Sequence, residues 1–168
     1  GIGHTRWATH GGPSAVNAHP HTDTAGRIAV VHNGIIENAD ELRARLGAAG
    51  VEFVSETDTE VIAHLVAAEL AAGAADPEQA VRRALRRVVG AYGLAVLDAE
   101  HPDRIVVARN GSPVLLGIGD REMFVASDVA AVVGYTRQVV HLDDGELATI
   151  GATGYRTFTL DDRATAKT

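Results

Sequence analysis

Residues 28–31 form an uninterrupted apolar run that leads into His32, Asn33 and Gly34. Successive β-branched side chains predict a core strand that is covered on both faces and ends near residue 33. The Asn-Gly pair alone favours a plain turn, because both residue types tolerate positive φ. The chain continues instead into a helix-start signal at residues 38–41. We therefore expect an amide side chain and an unhindered backbone N–H at the carboxyl end of a core strand, where enzymes often place their chemistry.

Three helices are predicted in the first half of the chain. The second begins at Thr57, which forms a capping box with Glu60, after a short strand at 51–54. This start places Asp58 in the first helical turn, where the helix dipole favours the anionic form of its side chain. The predicted helices cover about 38–49, 57–70 and 76–89.

From residue 91 onward the apolar period changes from that of helices to that of strands. A short helix is predicted to start at Ser127, and Asp143 to Gly145 is predicted to be a hairpin turn. Because helices come early and antiparallel strands come late, the pattern favours an α+β layered fold. The predicted strands are 91–98, 104–109, 113–118, 122–126, 137–142, 145–150 and 154–159.

Composition excludes several classes of partner. A net charge of −7 argues against nucleic acid and against anionic membranes. No apolar run is long enough to span a bilayer, and the absence of cysteine removes thiolate chemistry from this chain. The pair His19 and His21, separated by a proline, matches no zinc pattern, so no metal site is expected. No dinucleotide or phosphate-loop motif appears, so no cofactor is expected. We expect a cytoplasmic location.

The polar residues at predicted element ends suggest a site for a free amino acid. An arginine and an aspartate on opposite sides of a cleft can hold an α-carboxylate and an α-ammonium group. The Asn33 amide and the Gly34 N–H could stabilise an oxyanion, as required for amide hydrolysis, although the set contains no nucleophile. The candidate residues are Arg6, Trp7, Thr9, His10, His19, Asn33, Gly34 and Asp58.

Four ordered motifs within about 60 residues carry a family resemblance: GHTRWATHG at 3–11, NAHPH at 17–21, VVHNGIIEN at 30–38 and SETDTEVIAHL at 55–65. Together they resemble the class II glutamine amidotransferase domain, most closely that of the glutamine–fructose-6-phosphate aminotransferase branch. The likeness continues with SPVLLGIG and FVASD and weakens after about residue 150.

This resemblance implies an N-terminal-nucleophile hydrolase fold, a four-layer αββα sandwich with antiparallel sheets. It implies that L-glutamine is hydrolysed and that ammonia passes to a sugar isomerase domain, which converts fructose 6-phosphate to glucosamine 6-phosphate. Arg6 and Asp58 would hold the glutamine carboxylate and ammonium groups, and Asn33 with Gly34 would form the oxyanion hole. Trp7, Thr9 and His10 would lie on the loop that closes over glutamine, with Trp7 as a gate for ammonia, and His19 would line the substrate site.

The chain also departs from the family pattern. The family's nucleophilic N-terminal cysteine and first strands are not in this sequence, so we expect an incomplete glutaminase domain at 1–160, a charged tail at 161–168 and no activity of this chain alone. Because a missing strand leaves a sheet edge open, we also expect a homo-oligomer. The alternatives are a glutaminase domain of the amidophosphoribosyltransferase or asparagine synthetase type, and a non-catalytic glutamine-binding or assembly module.

Overall fold

The computed structural model describes residues 1–7 and 11–167. Within them, no helix is long and apolar enough to cross a membrane. The helices are α1 (Ala39–Ala48), α2 (Thr59–Ala71) and α3 (Pro77–Leu85), with a short 3-10 turn at Val129–Ala131. The strands are β1 (His21–Thr22), β2 (Ile28–Ile36), β3 (Gly90–Asp98), β4 (Arg104–Asn110), β5 (Leu115–Ile118), β6 (Met123–Ala126), β7 (Val139–His141), β8 (Glu146–Gly151), β9 (Gly154–Thr159) and β10 (Ala164–Thr165).

Two antiparallel sheets form the frame of the molecule. The larger sheet has seven strands in the order β1-β2-β3-β4-β8-β9-β10, and the smaller has three in the order β6-β5-β7. Alternation along each strand gives the larger sheet two faces. One face packs through residues such as Val30, Leu94 and Val106 against all three α-helices. The other face packs through Val107 and Ile150 against the smaller sheet.

The predicted α+β class with antiparallel sheets is confirmed. Helices, larger sheet and smaller sheet form three consecutive layers of the expected sandwich, and α1, α2 and α3 all lie in the first of them. All seven strands predicted after residue 91 are present. Hydrophobic period alone therefore located most of the strands, because side chains along a strand alternate between the two faces of its sheet.

Strand β2 runs farther than predicted. It continues through Asn33 and Gly34 to Ile36, and it pairs with β3 in unbroken register along its whole length. Neither a turn nor a strand end falls at the Asn-Gly pair. Gly34 has a φ of +122°, and a Cβ there would lie 2.2 Å from the Ala91 carbonyl oxygen. Only glycine fits this point of the strand, because any side chain would collide with the neighbouring backbone.

Two local predictions before α2 are wrong. Residues 51–54 form no strand, since the Val54 N–H donates to the Glu60 carboxylate at 2.9 Å. The same carboxylate accepts the Ser55 N–H at 2.7 Å, so Glu60 is not available to form a capping box with Thr57. The helix starts two residues later than predicted, with Asp58 at the N-cap position.

Three further differences lie later in the chain. Residues 143–145 do not form a hairpin, because the strand before them belongs to the smaller sheet and the strand after them to the larger one. Helix α3 ends at Leu85, and Gly90 opens β3 instead of ending the helix. Within the expected tail, residues 164–165 form β10, which pairs with β9 at the edge of the larger sheet.

A buried ion pair ties the start of β2 to the end of β3. Asp98 accepts two hydrogen bonds from the Arg27 guanidinium at 2.8 and 2.9 Å, and a third from the His101 ring at 2.9 Å. Burial alone would raise the pKa of Asp98, but the hydrogen bonds from Arg27, the Glu100 N–H and His101 outweigh it and lower the pKa to about 2. The charged carboxylate is therefore part of the native structure.

We predict that Gly34→Ala destabilises the fold by about 3 kcal/mol or more, because positive-φ strain adds to a backbone collision. Gly26→Ala is the matched control, since Gly26 has a φ of +68° but open space around it. The control should cost only about 1 kcal/mol, the strain alone. Urea denaturation measures both. Equal losses in the two variants would show that the β2–β3 contact is not tight.

We predict a loss of stability in acid that depends on Asp98. Because its folded pKa lies below the unfolded value of about 3.8, its contribution of about 2 kcal/mol is present above pH 4 and is lost as the pH falls towards 2. Urea titrations at several pH values should show this slope in the unmodified chain. Asp98→Asn should be less stable at pH 7, and its stability should converge with that of the unmodified chain near pH 2. Parallel curves would contradict the assignment.

Candidate active site

A polar cavity of about 120 Å³ lies where β2, the start of α2 and the N-terminal segment meet. It brings together six of the eight residues predicted from the sequence; the other two, Thr9 and His10, lie outside the described residues. The cavity is lined by His4, Arg6, Trp7, His19, His32, Asn33, Gly34, Thr57, Asp58 and Thr59.

Backbone donors of β2 form one wall of this cavity. Strand β1 pairs with β2 only at Ala29 and Val30, so the same edge of β2 is not covered by that strand farther along. There the His32 N–H donates to the His19 ring at 3.3 Å, and the Ile36 N–H donates to the Asp58 carboxylate at 2.8 Å. Because N–H groups two residues apart point to the same edge of a strand, we expect the Gly34 N–H to lie between these two.

Asp58 supplies the negative charge of the cavity. Its residue is only 5% exposed, and it sits at the N-terminal end of α2, where the helix dipole stabilises an anion. The loop before it is fixed from two sides. Arg43 donates to the Thr57 carbonyl oxygen at 2.7 Å, and Glu60 accepts from the Ser55 N–H. These contacts hold the carboxylate in place beside β2.

Arg6 supplies a positive charge to the same cavity. Its guanidinium donates to the carbonyl oxygens of Gly11 at 3.1 Å and Gly12 at 3.3 Å. Its backbone has a φ of +49°, a left-handed conformation that is uncommon for residues other than glycine and tends to occur at functional sites. The Asn17 side chain holds the backbone at Gly12 in place by donating to the Gly12 carbonyl oxygen at 3.0 Å. Trp7 stands at the mouth of the cavity with 90% of its surface exposed.

Four histidine rings cluster beside these charges. The rings of His4 and His19 stack with centroids 4.4 Å apart, and the ring of His21 meets His19 edge-on at 4.9 Å. Burial, together with the nearby rings of His4, His21 and His32 and the Arg6 charge, lowers the pKa of His19 to about 3. Burial also lowers the pKa of His21. His19 is therefore a neutral hydrogen-bonding group at physiological pH, not a second cation.

Four polar residues of the site were not among the predicted set. His4, His32, Thr57 and Thr59 all line the cavity. The His32 ring is held between the Thr59 hydroxyl at 3.0 Å and the Ala91 carbonyl oxygen at 3.3 Å. The only sequence signal for these residues is their membership of the same short motifs as Arg6, Asn33 and Asp58.

A second, more apolar cavity of about 300 Å³ adjoins the first between the two sheets. The two cavities share His4, His32 and Asn33. Apolar residues of β3 and β6, together with Pro113 and Val114 just before β5, contribute much of its lining. Asn33 therefore stands at the junction of a polar cavity and an apolar one.

Sequence comparison places this geometry in a family. Residues 4–134 match the family described as "Glutamine amidotransferase domain". The glutamine–fructose-6-phosphate aminotransferases of Symbiobacterium thermophilum and Thermococcus kodakarensis are 56% and 54% identical to the chain. Each alignment covers 92% of this chain and 25% or 26% of the relative, so the chain spans about a quarter of those proteins.

Solved structures agree with this result. A glutamine phosphoribosylpyrophosphate amidotransferase from B. subtilis, complexed with ADP and GMP, superposes with a TM-score of 0.77 at 27% identity, covering 94% of this chain and 34% of that one. An allosteric regulatory enzyme of purine biosynthesis superposes with a TM-score of 0.79 at 28% identity and the same coverage. On the family match and the shared fold, the chain belongs to the glutamine amidotransferase domain family.

Proposed function

We propose that the polar cavity binds L-glutamine and that the chain is the glutamine-hydrolysing part of an enzyme that makes glucosamine 6-phosphate from fructose 6-phosphate. The observation that carries the proposal is the convergence of Arg6, Asp58, Asn33 and Gly34 on one small cavity. A free amino acid has two opposite charges at one end, and this cavity has two opposite charges in its walls.

Each end of glutamine has a group to match it. The planar Arg6 guanidinium suits the α-carboxylate, because its N–H groups can form parallel hydrogen bonds to both oxygens. The buried Asp58 carboxylate suits the α-ammonium group. With these two charges engaged, the side-chain amide of the substrate extends towards Asn33 and Gly34. His19 keeps this part of the wall uncharged, and Trp7 covers the mouth. The family resemblance implies that Thr9 and His10 act with Trp7 when glutamine binds.

The Asn33 amide and the Gly34 N–H then serve the reaction. When a nucleophile adds to the amide carbon of glutamine, the amide oxygen becomes negatively charged, and two fixed donors stabilise that charge more than they stabilise the ground state. Removing one such donor typically costs about 3 kcal/mol of transition-state stabilisation. The family resemblance implies a cysteine thiol as nucleophile, which this chain does not contain.

The comparisons favour the sugar branch over the purine branch. The two fructose-6-phosphate relatives named above are 56% and 54% identical to this chain, whereas the two purine-pathway structures are 27% and 28% identical. We propose that ammonia passes to a sugar isomerase domain, as the family resemblance implies. Homo-oligomer formation and cytoplasmic location stay predictions.

We predict that the chain binds L-glutamine and that Asp58→Asn weakens this binding at least about tenfold, the value of one charge-assisted hydrogen bond. Asparagine keeps an oxygen that can accept the Ile36 N–H, so the fold should persist while the charge is lost. Asp40→Asn, an exposed position in α1, is the matched control. Titration calorimetry measures all three proteins. Equal affinities of the Asp58 and Asp40 variants would argue against the ammonium site.

We also predict that the 168-residue chain binds glutamine without hydrolysing it, because the proposed reaction needs a thiol and the chain has no cysteine. A coupled assay for glutamate should show no release above the rate in buffer. Glutamate release that is lost in an Asn33→Ala variant would contradict the requirement for a thiol.

A further inference from the structure

The His4 ring contacts both halves of the proposed glutamine site. Its Nδ1 accepts the backbone N–H of Arg6 at 3.0 Å, and its Nε2 lies 2.6 Å from the Asn33 Oδ1. One face of the ring stacks on His19, with the ring planes only 18° apart. Three contacts in different directions hold this ring in place.

These contacts determine which nitrogen of His4 carries the proton. A backbone N–H can only donate, so the Nδ1 that faces Arg6 must be unprotonated. The proton of the neutral ring is therefore on Nε2, which must donate to the Asn33 side chain. Of the two polar atoms of the Asn33 side-chain amide, only the oxygen can accept this hydrogen bond. The Asn33 oxygen is thus held by His4, and its Nδ2 is turned away from that ring.

We propose that His4 is a positioning residue that orients the Asn33 amide so that its NH₂ group, and not its carbonyl oxygen, is presented to the glutamine amide. The inference rests on the proposed function of the cavity. Asparagine is nearly symmetric in shape, so rotation about its last bond exchanges a donor for an acceptor. An acceptor at this point repels the charge that develops on the substrate oxygen.

The same ring also couples two parts of the site. By accepting the Arg6 N–H, His4 supports the left-handed backbone of that residue, whose guanidinium we assign to the substrate carboxylate. One imidazole therefore aligns the carboxylate-binding group and the oxyanion-binding group relative to each other. The sequence pattern alone does not reveal this link, since Asn33 lies 29 residues from His4.

Nitrogen NMR on the uniformly labelled chain tests the geometry without any ligand. We expect His4 to show an unprotonated Nδ1 and a protonated Nε2 at neutral pH, and the Asn33 NH₂ protons to show no close contact with the His4 ring protons. A proton on Nδ1, or a close contact between the Asn33 NH₂ and that ring, overturns the inference.

Glutamine binding by calorimetry tests the consequence. His4→Leu should weaken binding about tenfold, the value of one lost positioning hydrogen bond. In an Asn33→Ala background the same change should have a smaller effect, because the contribution that His4 makes through Asn33 is already lost and only its contact with the Arg6 N–H remains. His141→Leu, at an exposed position of β7, is the control and should leave the affinity unchanged. Equal effects of His4→Leu in both backgrounds overturn the inference.

A matched pair covers the case in which His4→Leu does not fold. His4→Gln keeps a donor near the position of Nε2, whereas His4→Glu offers only acceptors and has almost the same shape. We expect the glutamine variant to stay within about threefold of the unmodified chain and the glutamate variant to lose at least tenfold. Equal affinities overturn the inference. If the unmodified chain binds no glutamine, the proposed function fails, and the NMR measurement alone decides the role of His4.

Discussion

The backbone N–H groups along one edge of β2 need hydrogen-bond acceptors, and the arrangement of the site follows from this need. Buried N–H groups without a partner are costly, so the N–H groups of the buried residues His32 and Ile36 need acceptors from the protein. The edge pairs with β1 only up to Val30, and beyond that point side chains take over. The His19 ring accepts the His32 N–H, and the Asp58 carboxylate accepts the Ile36 N–H. Between them lies Gly34, whose N–H we assign to the substrate.

This constraint explains why structural and functional roles coincide. Asp58 accepts the Ile36 N–H at the edge of β2 and stands at the start of α2, and it is the residue that we propose for the substrate ammonium group. His19 accepts a backbone N–H and, because its pKa is lowered to about 3, adds no positive charge to the cavity. Gly34 must be glycine because a Cβ would collide with the Ala91 carbonyl oxygen. The N–H of the same residue is the donor that we assign to the substrate. Few substitutions here could change binding and leave stability untouched.

Much of the fold could be predicted from the sequence, because alternating apolar residues report on packed faces. The failures have local causes. Thr57 and Glu60 have the spacing of a capping box, but Glu60 instead accepts the N–H groups of Val54 and Ser55. The turn at residues 143–145 has hairpin composition, yet composition cannot show that the chain changes sheets there.

The site was predictable only in part, for a related reason. Arg6, Asn33 and Asp58 carry recognisable chemistry within short motifs, so their type and order indicated an amino-acid site. Side chains that act through another residue have no such signal. His4 is important because of where its two nitrogens point, and that depends on the Arg6 backbone and on a strand 29 residues away.

Amide hydrogen exchange, read residue by residue by NMR with and without L-glutamine, tests whether the Gly34 N–H is the donor that the substrate uses. The His32 and Ile36 amides should be protected in both states, since side chains of the protein already accept them. The Gly34 amide should exchange freely without glutamine and become protected when glutamine is bound. Protection of Gly34 that does not change with glutamine would show that its N–H does not bind the substrate.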